Sequence, residues 1–319
     1  MRNRKEWIDV LRAIAIILVV LGHQIQEQTA YFVWTSPIKM PLFFAISGYL
    51  FTLKPVKDFA KKIFVGLVIP WFCLGLLPQL LMMPVKGIEN TWIYFGKMIS
   101  GEVLWFMPCF ILGMILFYLT VRISSGRLIS GGIASVLMFA GGLILYKHYT
   151  LDFASLYRAM AVQPFFWFGH AFRQSENTKI GKEFLNNNIN LAVAAVLYVT
   201  FIASTFYFYP GRSIDVHLNR YFNIPICALQ ILMGLYCLFV LFQRFSQFPK
   251  WIVEIGKCSL VIYIWHGFVI AAFMVFVRKF IGELPLYLLA LINCFIGVTV
   301  CCLLNRLFSR YAPFMTGNR

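Results

Sequence analysis

Long apolar runs separated by short, basic connecting segments succeed one another along the chain. At about 20 residues per membrane crossing, the pattern predicts ten helices, at about 8–25, 38–53, 61–83, 103–121, 128–147, 156–172, 189–209, 221–243, 258–277 and 285–305. Two of these runs fit the pattern less well: 38–53 is short, and 156–172 contains Arg158 and Pro164. The longest polar stretch, about 173–188, leaves no room for a soluble domain. The expectation is an all-α fold, a polytopic transmembrane helical bundle of about ten spans, with residues 1–319 forming one integral membrane domain.

Composition agrees with that reading. Of 319 residues, 61% are hydrophobic and only 13% are charged, about half the charged share of a soluble domain. The net charge of +16 has its own pattern. With the N-terminus inside, eighteen of the 28 lysines and arginines fall on inside segments, among them Arg2, Arg4, Lys61, Lys62, Arg173, Lys179 and Arg319. Nine fall outside, including Lys39, Arg158, Arg212 and Arg220, and Arg12 lies within the first run. This bias places both termini in the cytoplasm. Basic loops facing anionic headgroups account for the charge. Nucleic-acid binding is not indicated, because the basic residues are dispersed among apolar spans rather than gathered on one soluble face. The N-terminus has the basic start of a signal peptide, but Arg12 interrupts the apolar run and no small-residue cleavage site follows His23. We therefore expect an uncleaved first helix.

Arg12 and His23 stand out within that helix. Its sequence, IDVLRAIAIILVVLGHQI, is otherwise almost wholly apolar, and ionisable groups in a span are expensive and usually functional. Eleven residues along a helix return to nearly the same face, with a rise of about 16 Å. One stripe would thus carry a cation near the inner membrane face and an imidazole near the outer one. None of the twelve carboxylates, which include Glu27, Asp152 and Glu176, falls in the middle third of a predicted span, whereas ion-coupled transporters place carboxylates near the midplane. The buried ionisable set is instead Arg12, His23, His266 and His170, which suits anion binding and proton transfer. The eight cysteines show no CxxC or Cys/His ligand spacing, so neither a metal site nor a disulfide framework is expected. No phosphate-binding glycine loop, HExxH or GxSxG occurs. The glycines of GGIASVLMFAGG (131–142) read as close helix packing.

The stretch IDVLRAIAIILVVLGH resembles the start of the membrane-bound acyltransferase-3 family, whose signature is Arg or Lys, ten residues, then His. KMPLFFAISGYLF (39–51) is similar to that family's second helix, LWFMPCFILGMILF (104–117) to its Trp-Phe helix, FWFGHAFR (166–173) to its Gly-containing helix end, and IGKCSLVIYIWHG (255–267) to its late Ser/Tyr/His element. The matches keep family order from residue 7 to about residue 270. They are nearest the fucose-4-O-acetylase-like branch, except that Lys39 stands where that branch usually has His. The resemblance implies an O-acetyltransferase of the bacterial inner membrane. It would move an acyl group, usually acetyl, from cytoplasmic acetyl-CoA to a hydroxyl of an extracytoplasmic sugar, polysaccharide or lipid-linked glycan. Acetyl-CoA enters as donor, with no permanently bound cofactor. Arg12 would hold a CoA phosphate, and His23 would be the general base. His266 is a second catalytic candidate. Ser47, Trp105, Tyr263 and His266 are candidate oxyanion or substrate groups.

Each residue also has a plainer account. Arg12 can snorkel to headgroups or pair with Asp9 one turn away, His23 can cap its helix, Trp105 can sit in an interfacial belt, and Ser47-Gly48 can be close helix packing. A transporter or flippase of a lipid-linked sugar would use the same basic cavity without an acyl donor, and a non-catalytic scaffold would tolerate replacement of Arg12 and His23. The charge pattern itself is testable by reporter fusions: fusions at both termini should report the cytoplasm, and one in the 210–220 loop should report the outside. An external C-terminus would mean an odd number of spans.

Overall fold

The computed structural model describes residues 5–25, 29–149 and 155–317, with the backbone only for 84–86. Arg2, Arg4 and Arg319 of the charge count, and Glu27 and Asp152 of the carboxylates, lie outside the described residues. In chain order the helices begin with α1 (Glu6–Gly22), α2 (Ala30–Lys39), α3 (Pro41–Tyr49) and α4 (Val56–Ile63). A π-helical turn (Phe64–Val68) joins α4 to α5 (Ile69–Lys86). Then come α6 (Ile88–Ser100), α7 (Phe106–Ile123), α8 (Leu128–His148), α9 (Leu156–Ala161), α10 (Gln163–Ser175) and α11 (Lys179–Asn186). The last are α12 (Asn188–Phe208), α13 (Ile224–Gln243), α14 (Lys250–Lys257), α15 (Ser259–Phe280), α16 (Leu286–Tyr311) and a 3₁₀ turn, Pro313–Thr316. No strand occurs among the described residues beyond one isolated bridge between Asp215 and Arg220.

Seven helical stretches among the described residues are long and apolar enough to cross a bilayer, the first running through α4 and α5 as Val56–Met83. The others are α7, α8, α12, α13, α15 and α16. They coincide with seven of the ten expected runs, and the fold is an all-α, multi-pass membrane fold. Large apolar side chains stay on the outside of these helices, as at Ile129, 80% exposed, because lipid rather than water solvates them.

The other three runs are α1, with 17 residues, and two runs that are broken. In the 38–53 run, Pro41 opens α3. Its ring removes a backbone donor and presses on the preceding turn, so α2 and α3 meet at Met40. In the 156–172 run, the helix breaks at Val162 between α9 and α10. Pro164 has no N–H to return to the preceding turn, and the fully buried Gln163 side chain serves a carbonyl of that turn instead. Its Nε2 donates to the carbonyl of Ala159 at 2.8 Å and to that of Gly113, on α7, at 3.0 Å. Interrupted backbone is tolerated at membrane depth only where protein satisfies it, and Gln163 does so here.

The chain divides into two compact units. The first comprises residues 1–51, 165–259 and 286–291, and the second comprises 52–164, 260–285 and 292–319. In the first, α1 lies among α14, α2, α3 and α13. Trp7, Tyr49, Phe172 and Phe239 form an aromatic core there, with ring centroids 5.1–6.2 Å apart and mostly edge-to-face. In the second, α8 and α7 pack on α9, α5 packs on α6, and the Pro313–Thr316 turn returns to α5.

Helix backbones in the first unit approach too closely for a side chain at Gly48, Gly169 and Gly256 among others. A Cβ at Gly48 of α3 would strike the carbonyl of Phe166 on α10, and one at Gly169 of α10 would strike that of Ala45 on α3. One at Gly256 of α14 would strike the carbonyl of Asp9 on α1. In the second unit, Gly142 of α8, the last glycine of the 131–142 run, lies against α9 in the same way, 2.6 Å from the Tyr157 carbonyl by the same measure. Helices in lipid gain little from apolar burial against one another and rely on such close approach. Gly48→Ala should therefore destabilise the detergent-solubilised protein by about 1–3 kcal/mol, the usual cost of overpacking. Gly96→Ala, at a helical glycine with open space around it, should be neutral or stabilising by up to about 1 kcal/mol. Thermal unfolding of the two variants beside the parent checks the contrast.

Candidate functional site

The first unit holds Arg12, His23 and Ser47, and the second holds Trp105, Tyr263 and His266. Arg12 lies in the second turn of α1. Its Nη1 donates to Asp9 Oδ1 at 3.1 Å, and the Asp9 side chain is 2% exposed while that of Arg12 is 30% exposed. A buried carboxylate needs such a partner. The pairing orients the guanidinium, whose five donors exceed what one carboxylate can use. Gly256 contributes to this arrangement, because it lets α14 lie directly on the Asp9 backbone.

His23 caps α1. It keeps helical dihedrals, and its N–H points to the carbonyls of Val19 and Val20, each at 3.2 Å. The Arg12–His23 stripe is thus one continuous helix, and the His23 side chain is exposed at its end. The first residues of α2 and its last lysine close around this end. The Tyr31 hydroxyl donates to the Leu18 carbonyl. Lys39 Nζ rests 3.9 Å from the centroid of the Phe32 ring. The same Nζ is 3.2 Å from where a Cβ of Gly22 would lie. A larger residue at position 22 would push the ammonium away.

Ser47 is turned back on its own helix, its Oγ donating to the Phe43 carbonyl at 2.9 Å. The neighbouring Tyr49 has a more connected position. Its hydroxyl donates to the Glu176 carboxylate, at 2.9 and 3.0 Å, and receives a hydrogen bond from Lys5 Nζ. Gln243 Nε2 donates to the same carboxylate at 2.7 Å, and Lys5 Nζ lies 3.6 Å from it. Arg173 donates to the carbonyls of Phe51 and Tyr49, at 2.9 and 3.4 Å. Glu176 therefore ties the starts and ends of α1, α3, α10 and α13 together. In the sequence this residue shows only as an acidic position three after Arg173, in the longest polar stretch, about 173–188.

In the second unit, Trp105 ends a loop that carries two positive-φ positions, Gly101 and Leu104 (φ 52°). Ser155, also at positive φ and fully buried, donates from Oγ to the Trp105 carbonyl at 3.4 Å. Arg158 donates to Ser155 Oγ at 3.0 Å and to the Gly101 carbonyl at 3.4 Å. Arg158, an awkward charge within an expected span, is the brace of this loop. Tyr263 joins the same place: its hydroxyl accepts from the Phe106 N–H at 3.2 Å, with the two rings 5.2 Å apart. The structure thus brings the Trp105 loop and Tyr263 together. His266 follows one turn later on α15, 7% exposed, with Nδ1 directed at the carbonyls of Ile262 (2.8 Å) and Tyr263 (3.0 Å). Two carbonyls fix the proton on Nδ1, so in the neutral ring Nε2 carries the lone pair. That tautomer accepts a proton rather than donating to an oxyanion. His170 engages Gln174 at 2.7 Å through Nε2.

The fold and these groups define a multi-pass helical membrane protein that lodges an arginine, histidines and tyrosines in its helices and their junctions. The chain matches the family described as Acyltransferase domain (Acyl_transf_3) over residues 5–306, and it belongs to that family. It is a membrane acyltransferase. No curated protein and no solved structure matches the chain.

Proposed function

We propose that this acyltransferase moves an acetyl group from cytoplasmic acetyl-CoA to a hydroxyl of an extracytoplasmic sugar, polysaccharide or lipid-linked glycan. It would act within the inner membrane of a bacterium, as one integral membrane domain with both termini in the cytoplasm. The observation that carries this reading is the uninterrupted helix between Arg12 and His23. The rise between them is about 16 Å, of the order of the pantetheine arm that separates the phosphates of CoA from its thioester. Arg12, oriented by Asp9, holds a phosphate at the inner end, where a guanidinium matches phosphate geometry. The thioester then lies beside His23.

Neutral His23 takes the proton of the acceptor hydroxyl as its oxygen attacks the thioester carbonyl, and returns the proton to the departing CoA thiolate. This reading uses direct transfer without a serine or cysteine acyl-enzyme. Ser47 is supported less as a nucleophile than as a packing residue, since its hydroxyl is engaged with its own helix. His266 is the second candidate base, on the strength of its Nδ1-protonated tautomer.

Two substitutions separate binding from chemistry. Arg12→Ala should weaken acetyl-CoA binding by about 1.5–3 kcal/mol, the worth of a charge-assisted contact. Calorimetry on purified protein reads this directly, and an unchanged affinity would remove Arg12 from the donor site. His23→Gln should leave insertion and acetyl-CoA affinity intact and lower transfer ~10²–10⁴-fold. Labelled acetyl-CoA, with the label followed into glycan at matched protein levels, measures that loss. If His23→Gln retains more than about a tenth of wild-type transfer, well above the usual range, the base is another residue and His266 is next to be tested.

A further inference from the structure

The proposed transfer needs one more group. As the acceptor oxygen attacks, negative charge develops on the thioester carbonyl oxygen, and a fixed donor or cation must meet it. Ser47 directs its hydroxyl to the Phe43 carbonyl, and neutral His266 directs its N–H to its own helix backbone. The end of α1 offers a different group. Lys39 Nζ lies over the Phe32 ring at 3.9 Å and against Gly22, the residue before His23.

This position has three relevant properties. A ring face favours the cation while excluding water from one side of it. A charge in such surroundings acts more strongly on a nearby oxyanion than the same charge in bulk water. The absence of a side chain at Gly22 lets the ammonium reach the helix end that presents the imidazole. The Lys39 ammonium, carried by the end of α2, thereby lies beside the end of α1 that bears His23.

We propose that Lys39 is a catalytic residue that stabilises the oxyanion of the transfer, a role that rests on acetyl-CoA being the donor and His23 the base. In the first step the acceptor oxygen–carbonyl carbon bond forms, the hydroxyl proton passes to His23, and the carbonyl π pair moves onto oxygen opposite the Lys39 ammonium. In the second, that pair re-forms the carbonyl, the carbon–sulfur bond breaks, and the CoA thiolate takes the proton from the His23 imidazolium. The Lys39 charge is unchanged throughout.

The test uses the purified full chain in lipid nanodiscs with labelled acetyl-CoA as probe. Release of CoA is followed both with glycan acceptor and with water as the attacking hydroxyl. Lys39→Met should lower kcat by ~10²-fold, as loss of an oxyanion donor does, with KM for acetyl-CoA within about twofold of the parent. Lys39→Arg should recover roughly a tenfold part of that loss by restoring a cation. A Lys39→Met kcat within about threefold of wild type, a loss expressed in KM alone, or Lys39→Arg no better than Lys39→Met would overturn the assignment. Should Lys39→Met fail to reach the membrane, Lys39→Gln carries the same expectation. If both are lost while Lys39→Arg inserts, the lysine is structural and the proposal fails. A wild-type protein that leaves acetyl-CoA intact would remove the acetyl-transfer reading and this role with it, a result separate from any effect confined to the Lys39 variants.

Discussion

The first unit depends on helix backbones touching one another. α3 and α10 meet through Gly48 and Gly169, and α14 lies on α1 through Gly256. Apolar side chains give no reason for one helix to prefer another over lipid, so the geometry has to come from shape and from polar contacts. Glycine supplies the shape by removing the atoms that would hold the axes apart. The aromatic core of Trp7, Tyr49, Phe172 and Phe239 then fills the remaining space. The Asp9 carbonyl, against which Gly256 rests, belongs to the residue that orients Arg12. Helix packing and the position of a charge are therefore one problem here, solved by a single crossing.

The polar contacts follow the same economy. A polar group out of water must be satisfied by protein or it destabilises the fold. Glu176 is satisfied by Tyr49 at the end of α3, Gln243 at the end of α13 and Lys5 just before α1. In the second unit, Arg158 and Ser155 satisfy the carbonyls of Gly101 and Trp105 around the strained Leu104. Strained loops persist where the surrounding structure holds them. This one lies beside Tyr263, one turn from His266.

The proposed mechanism draws on an asymmetry built into α1. One end bears a cation tied to a carboxylate within the helix's own second turn, and the other bears an exposed imidazole with a lysine seated nearby on an aromatic ring. A rigid helix between them fixes their separation more firmly than a loop would. In that proposal a long, flexible donor bound at one end would be measured against the other, and entropy that otherwise opposes the reaction would be lost on binding instead.

The amino-acid sequence by itself determined the class of the protein, the positions of the seven long spans, and the Arg12–His23 stripe. Each of these depends only on neighbours within one segment: run length sets a crossing, and the 3.6-residue period sets a face. It also marked Lys39 as unusual and the 156–172 run as a poor span. It did not reveal that Gln163 stabilises the break in that run, that Glu176 joins four helices, or that Lys39 lies against Gly22. Those facts pair residues from segments as distant as α10 and α13, or from α1 and α2, and no local pattern encodes such a pairing. Only the tertiary structure decided them, because a membrane helix shows its lipid face and its protein face in nearly the same apolar residues.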